Sequence, residues 1–150
     1  TLSSSSAASD VYKRQNEDPI IRSDGTPMRD YIYIEDVVGA YITVAENLVR
    51  DEVKGQAFNF GMNNPISVLD ITKKILDISG ATHLVPRIMS QGKIQGEIDK
   101  QYLSSEKART MLNWKPDFTL EEGLKITLSW YKDFFKRNEK ELEEKCSNLI

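Results

Sequence analysis

Residues 23–40 read SDGTPMRDYIYIEDVVGA, and the change of rhythm inside this stretch decides the fold class. Ser23-Asp24-Gly25-Thr26 is a turn, with Gly25 free to take positive φ. Tyr31-Ile32-Tyr33-Ile34 is aromatic and β-branched and reads extended. Asp36 is a plausible N-cap for a helix running to about Val49. Its apolar residues Val37, Ala40, Tyr41, Val44, Ala45 and Leu48 recur at spacings of three and four.

Working outward, Pro19-Ile20-Ile21-Arg22 is a short β-branched strand, and Ala57-Phe58-Asn59-Phe60 is a second, ending at Gly61. Ser67 and Asp70 suit a capping box that opens a helix through Ile78, with Gly80 as its stop. Leu84-Val85 before Pro86 reads extended. A polar loop over 90–100 leads to Gln101-Tyr102-Leu103. Ser104 can cap a short helix bearing Lys107, Ala108, Met111 and Leu112. Thr119 and Glu122 form another capping box, before a long helix with Leu120, Leu124, Leu128, Tyr131 and Phe135 on one face. Trp114 and Trp130 belong with these packing faces.

Strands and helices therefore alternate, which is α/β organisation. The strands are too few for a sheet covered on both faces, so they read as part of a larger sheet. Residues 1–15, TLSSSSAASDVYKRQ, differ in composition and read as disordered or foreign to the fold. Residues 16–138 form the folded part, and 139–150 a charged tail.

Charge narrows the partners. With 20 basic and 23 acidic residues the formal net charge is −3, which argues against general binding to nucleic acid or an anionic membrane. A small anion is still compatible, because one or two arginines suffice to hold a phosphate. The single cysteine, Cys146, excludes an intramolecular disulfide and a CxxC metal site and fits a reducing cytoplasm. No apolar run approaches the roughly 20 residues that span a bilayer.

Several chemistries lack their residues. The eight glycines never form GxGxxG, the turn a dinucleotide site requires. None of the six tyrosines has a lysine four positions later, so no YxxxK pair is present for proton transfer. His83 follows Gly80 in a loop and reads as a surface residue. No catalytic, cofactor-binding or metal-ligating set is assigned.

Arg29 is different. It stands where a turn enters an extended segment, and a guanidinium there could clamp a diphosphate in two-pronged fashion. Tyr31 falls on the same side of an extended chain. The alternative is a surface pair of Arg29 with Asp30 or Glu35, with Tyr31 packed in the core.

RDYIYIEDVVGAY at 29–41 resembles the RD(Y/F)xxVxDxxxA segment of extended short-chain dehydrogenase/reductases acting on nucleotide sugars. GQAFNFG, ISVLDITKKI and QYLSSEKARTMLNWKPDFTLEEGLKITLSWY resemble later landmarks of that family, in its order, over roughly residues 18–135. SDGTPMRDYIYIEDVV and EIDKQYLSSEKAR are most similar to the CDP-glucose 4,6-dehydratases. GDP-mannose and dTDP-glucose dehydratases and UDP-glucose 4-epimerases share the framework.

The resemblance implies the last strands and substrate-binding subdomain of an NAD(P)-binding Rossmann-like fold. NAD would serve as hydride carrier in a cytoplasmic, homo-oligomeric enzyme of deoxysugar biosynthesis. It also implies that the Gly-rich turn and the catalytic Thr/Ser, Tyr and Lys have no counterpart in these residues, so the chain binds a nucleotide sugar without turning it over. Arg29 matches the family arginine on the nucleotide diphosphate, and Tyr31 a position lining the same site. Ile20 and Ile21 match the strand against the base, Val68 a helix start bordering the nucleotide, and Glu97 a polar contact to it. Many relatives carry a second arginine three positions before Glu97; here that position is Ile94, beside Lys93. Gln101 replaces a frequent tyrosine.

Overall fold

The computed structural model describes residues 17–90, 92 and 96–147, with side chains through Arg137. Its elements, in chain order, are β1 (Ile20–Ile21), β2 (Met28–Arg29), α1 (Ile34–Asn47), β3 (Ile66–Ser67), α2 (Val68–Ser79), β4 (Arg87–Ile88), β5 (Lys100–Gln101), α3 (Glu106–Leu112) and α4 (Leu120–Ser147). The readings of 1–15 and of Lys93 and Ile94 lie outside the described residues.

Two small sheets result. β1 pairs in parallel with β4. β2 lies between β3, antiparallel, and β5, parallel. The architecture is α/β, as the alternation implies.

Local capping chemistry sets α2 and α4. The Asp70 amide donates to Ser67 Oγ at 3.0 Å, while the Ser67 hydroxyl donates to Asp70 Oδ2 at 2.7 Å. α2 stops where Gly80 takes φ 78°. There the Gly80 amide bonds Asp77 O and the Ala81 amide bonds Leu76 O at 2.9 Å, closing the last turn in a Schellman motif. At α4 the box is reciprocal: Glu122 N–H reaches Thr119 Oγ1 at 3.2 Å and Thr119 N–H reaches Glu122 Oε2 at 2.8 Å. α4 carries on as far as Ser147, into the stretch read as a charged tail.

Two apolar clusters hold the elements. Ile71, Ile75, Leu76 and Leu84 pack against Leu128 of α4, joined by Leu120, Leu124 and Tyr131. Ala40 of α1, Val53, Ala108 and Leu112 of α3, and Trp114 form the other, with Phe58 and Phe60 against it. The Phe60 and Trp114 rings meet edge to face at 5.0 Å.

Several sequence expectations are corrected. Ala57–Phe60 forms no ladder, because no described strand lies beside it. Tyr33 is extended, but α1 begins at Ile34, two residues before the expected Asp36 cap. Asp36 then falls on the inner side of the first turn, 4% exposed, and accepts the Asp117 amide across the core at 2.7 Å. The extended piece near Pro86 is Arg87–Ile88 rather than Leu84–Val85, because Leu84 is drawn into the core. Lys100, expected in the loop, opens β5. Ser105 rather than Ser104 precedes α3, although Ser104 Oγ still accepts the Glu106 amide at 3.3 Å. Trp114 is buried as expected, but Trp130 is 52% exposed and stacks on Phe134 at 5.1 Å.

Candidate functional site

The candidate site is the corner where β2, β3, β5 and the start of α2 converge. Arg29 ends β2, opposite Ile66 on one side and Gln101 on the other. Its Nη1 donates to Met28 O at 2.7 Å and to Ile98 O at 2.9 Å. Two backbone carbonyls thus hold Nη1 of the guanidinium, and among the described residues no acceptor meets Nε or Nη2. A planar fork with Nη1 anchored and the Nε–Nη2 edge open suits an oxyanion that accepts two parallel hydrogen bonds.

The surface-pair alternative does not form. Among the described residues Arg29 makes no ion pair, and the Asp30 carboxylate instead takes the Asn63 and Asn64 amides at 2.9 and 3.3 Å. Tyr31 does pack into the core, against the cluster around Ile75 and Leu128. Burial raises its phenol pKa above the ordinary value, opposed by the positive charge of Arg29 nearby. Core packing and proximity to Arg29 therefore coexist in Tyr31.

The remaining predicted residues divide. Val68 begins α2 at this corner, its amide on Pro27 O at 3.0 Å, one residue before β2. Gly25, at φ 83°, lies against Leu69 and Ile88 and so joins the β1–β4 pair to the same corner. Ile21 of that pair is 4% exposed and Ile20 is 54% exposed, so only Ile20 offers an apolar surface to a ligand. Glu97 is exposed, next to the Ile98 carbonyl that holds Arg29. Gln101 is exposed on β5, and His83 is exposed in its loop.

A groove of about 670 Å³ opens on the other side of Tyr31. It runs between residues 31–35 and α4, past Met62, Phe118 and Trp130. Tyr31 is the one predicted site residue on its wall, so the groove and the Arg29 corner are separate features that share Tyr31.

The fit to a dinucleotide is poor. A pyrophosphate would need free amides at a helix start after a strand. The first amides of α2 are occupied: Val68 by Pro27 O, Leu69 by Gly25 O, and Asp70 by Ser67 Oγ. The start of α2 therefore offers no cradle for a cofactor pyrophosphate. Among the described residues no three His, Cys, Asp or Glu side chains could hold a metal, and no helix is long and apolar enough to cross a membrane.

Sequence reading missed the residues that hold the corner together: Asp30, Asn63, Ile98 and Ser105. The signal was present but ambiguous. Asn63-Asn64-Pro65 reads as any turn, and Ser104-Ser105 as any cap.

The UDP-glucose 4-epimerase of Thermotoga maritima, solved with UDP-glucose, superimposes with a TM-score of 0.69 at 27% identity, over 87% of this chain and 40% of that one. The UDP-glucose 4-epimerase of Stenotrophomonas maltophilia, solved with NAD and a formylated UDP-arabinopyranose, shares the fold with a TM-score of 0.75 at 23% identity, over 91% of this chain and 42% of that one. The mouse dTDP-D-glucose 4,6-dehydratase is 30% identical over 87% of this chain and 37% of its own length. The fold is thus that of the extended short-chain dehydrogenase/reductases. More narrowly, a family model described as GDP-mannose 4,6 dehydratase matches residues 5–127, and the chain belongs to that family. It spans 30–38% of the length of the curated relatives it matches.

Proposed function

We propose that this chain is the C-terminal, substrate-binding part of an NAD-dependent nucleotide-sugar 4,6-dehydratase, with CDP-glucose as its sugar nucleotide. The observation that carries the reading is the half-anchored Arg29 guanidinium, which leaves Nε and Nη2 to a diphosphate. Val68 and Ile20 would border the nucleotide, Tyr31 would line the site from the core side, and Glu97 would add a polar contact. Ile21, packed inside β1, would support that wall from behind.

The outer face of α1 is consistent with a part that rests on a larger body. Ile34, Val38, Tyr41 and Ile42 are 51–74% exposed, although the helix also buries Ala40 on its inner side. A helix apolar on both sides is usual inside a bigger domain. NAD would be held by residues outside this set, since the amides at the start of α2 are occupied.

CDP-glucose is favoured over other nucleotides by the wording of SDGTPMRDYIYIEDVV and EIDKQYLSSEKAR. The relatives named above act on UDP- and dTDP-sugars by name, so a UDP-glucose 4-epimerase is the second reading. The test is a substrate panel. The full-length protein carrying this chain, with NAD, is given CDP-glucose, dTDP-glucose, GDP-mannose and UDP-glucose. The proposal expects a 4-keto-6-deoxy product from CDP-glucose and none from the 150 residues alone. Conversion of UDP-glucose to its C4 epimer, with CDP-glucose untouched, would replace it by the second reading.

A further inference from the structure

Arg29 sits on a ladder too short to aim it. β2, β3 and β5 each contribute two residues, and so short a pairing fixes register weakly. What locks it is a polar hub one residue further on. Asp30 receives the amides of Asn63 and Asn64. A Cβ on Gly61 would lie 2.6 Å from Asp30 Oδ2, so only glycine permits that approach. Asn63 takes φ 56°, a left-handed conformation that asparagine tolerates better than most residues. Its Oδ1 accepts the Ser105 amide at 3.2 Å, and the Ser105 hydroxyl lies within reach of both Gly61 O at 3.0 Å and Asn63 Oδ1 at 3.1 Å. Ser105 is fully buried.

The hub joins three segments at the level of Arg29. Gly61–Asn64 leads into β3, which fixes Ile66 opposite Arg29. Ser105 closes the chain that leaves β5, and the residues entering β5 supply the Ile98 carbonyl on Nη1. Resting on the reading of Arg29 as a diphosphate ligand, we infer that Asn63, clamped between Asp30 and Ser105, is a positioning residue. It holds β3 and β5 so that the open edge of the guanidinium faces the ligand. Asn63 touches no ligand in this role.

A double-mutant cycle tests it. CDP-glucose and UDP-glucose are titrated calorimetrically into the full-length protein carrying this chain, as wild type, Asn63→Ala, Asn63→Asp, Arg29→Ala and the Arg29→Ala/Asn63→Ala double variant. Millimolar ligand covers the weak cases. Asn63→Ala should weaken binding by about tenfold, and Asn63→Asp, which keeps the acceptor oxygen, by under about threefold. In the Arg29→Ala background Asn63→Ala should add nothing further. Should Asn63→Ala fail to fold, Asn63→Gly accepts the positive φ, still lacks the acceptor, and enters the same cycle. Unchanged affinity in the Asn63 variants, or an equal loss with and without Arg29, overturns the positioning role while leaving the Arg29 reading intact. Wild type binding neither nucleotide sugar removes the Arg29 reading, and the positioning role with it.

Discussion

Helices α1 and α2 have 14 and 12 residues, and both bury one face, yet they are finished differently. α2 has a Ser67 cap, a Gly80 stop and an outer face carrying Asp70, Lys73 and Asp77. α1 starts at Tyr33 without a side-chain cap, and its outer face is aliphatic and aromatic. α2 has the pattern of a helix whose neighbours all lie within this chain. α1 has the pattern of a helix meant to be covered on a second side. The candidate site lies at the start of α2, on the finished side.

Four substitutions probe this contrast. Ile75→Ala, at 1% exposure between α2 and α4, should cost about 2–5 kcal/mol in urea unfolding, because the lost contacts leave a cavity. A cost below about 1 kcal/mol would mean that this core is loosely packed. Ser67→Ala should remove about 0.5–2 kcal/mol by freeing the Asp70 amide. A neutral result would show that α2 depends on packing alone.

Tyr41→Ser, on the outer face of α1 at 74% exposure, should shift the stability of the isolated chain by under about 0.5 kcal/mol. A loss matching that of Ile75→Ala would show that the outer face is already covered, for instance by a second copy. The smallest effect concerns alkaline pH. Burial holds the Tyr31 pKa above 10.0, so its contribution is full below the unfolded value and fades as pH rises through the folded one. Tyr31→Phe should flatten that alkaline loss in a pH series of unfolding midpoints. An unaltered slope would assign the loss to other groups.

What was legible in the sequence follows from distance along the chain. The caps at Ser67 and Thr119 and the stop at Gly80 each depend on partners within five residues, and the sequence placed all three. Asp36 looked like a cap because its partner, the Asp117 amide, lies 81 residues away. The Ile98 carbonyl is 69 residues from Arg29, and Asn63 is 42 from Ser105. No local pattern encodes those contacts. Ala57–Phe60 has strand composition, but a ladder needs a neighbour, and composition names none. Arg29 stood out as a candidate in the sequence by its place after a turn. Its anchoring, which decides between an open fork and a surface pair, was visible only in the fold.

In the proposed function, Arg29 offers its open edge to a nucleotide diphosphate. The most direct measurement is calorimetric titration of CDP-glucose into the full-length protein carrying this chain, wild type against Arg29→Ala. Loss of a charge-assisted two-pronged contact should weaken binding by about 2–4 kcal/mol. Equal affinity in the two proteins would contradict the account and leave Arg29 a tie between β2 and the Ile98 carbonyl.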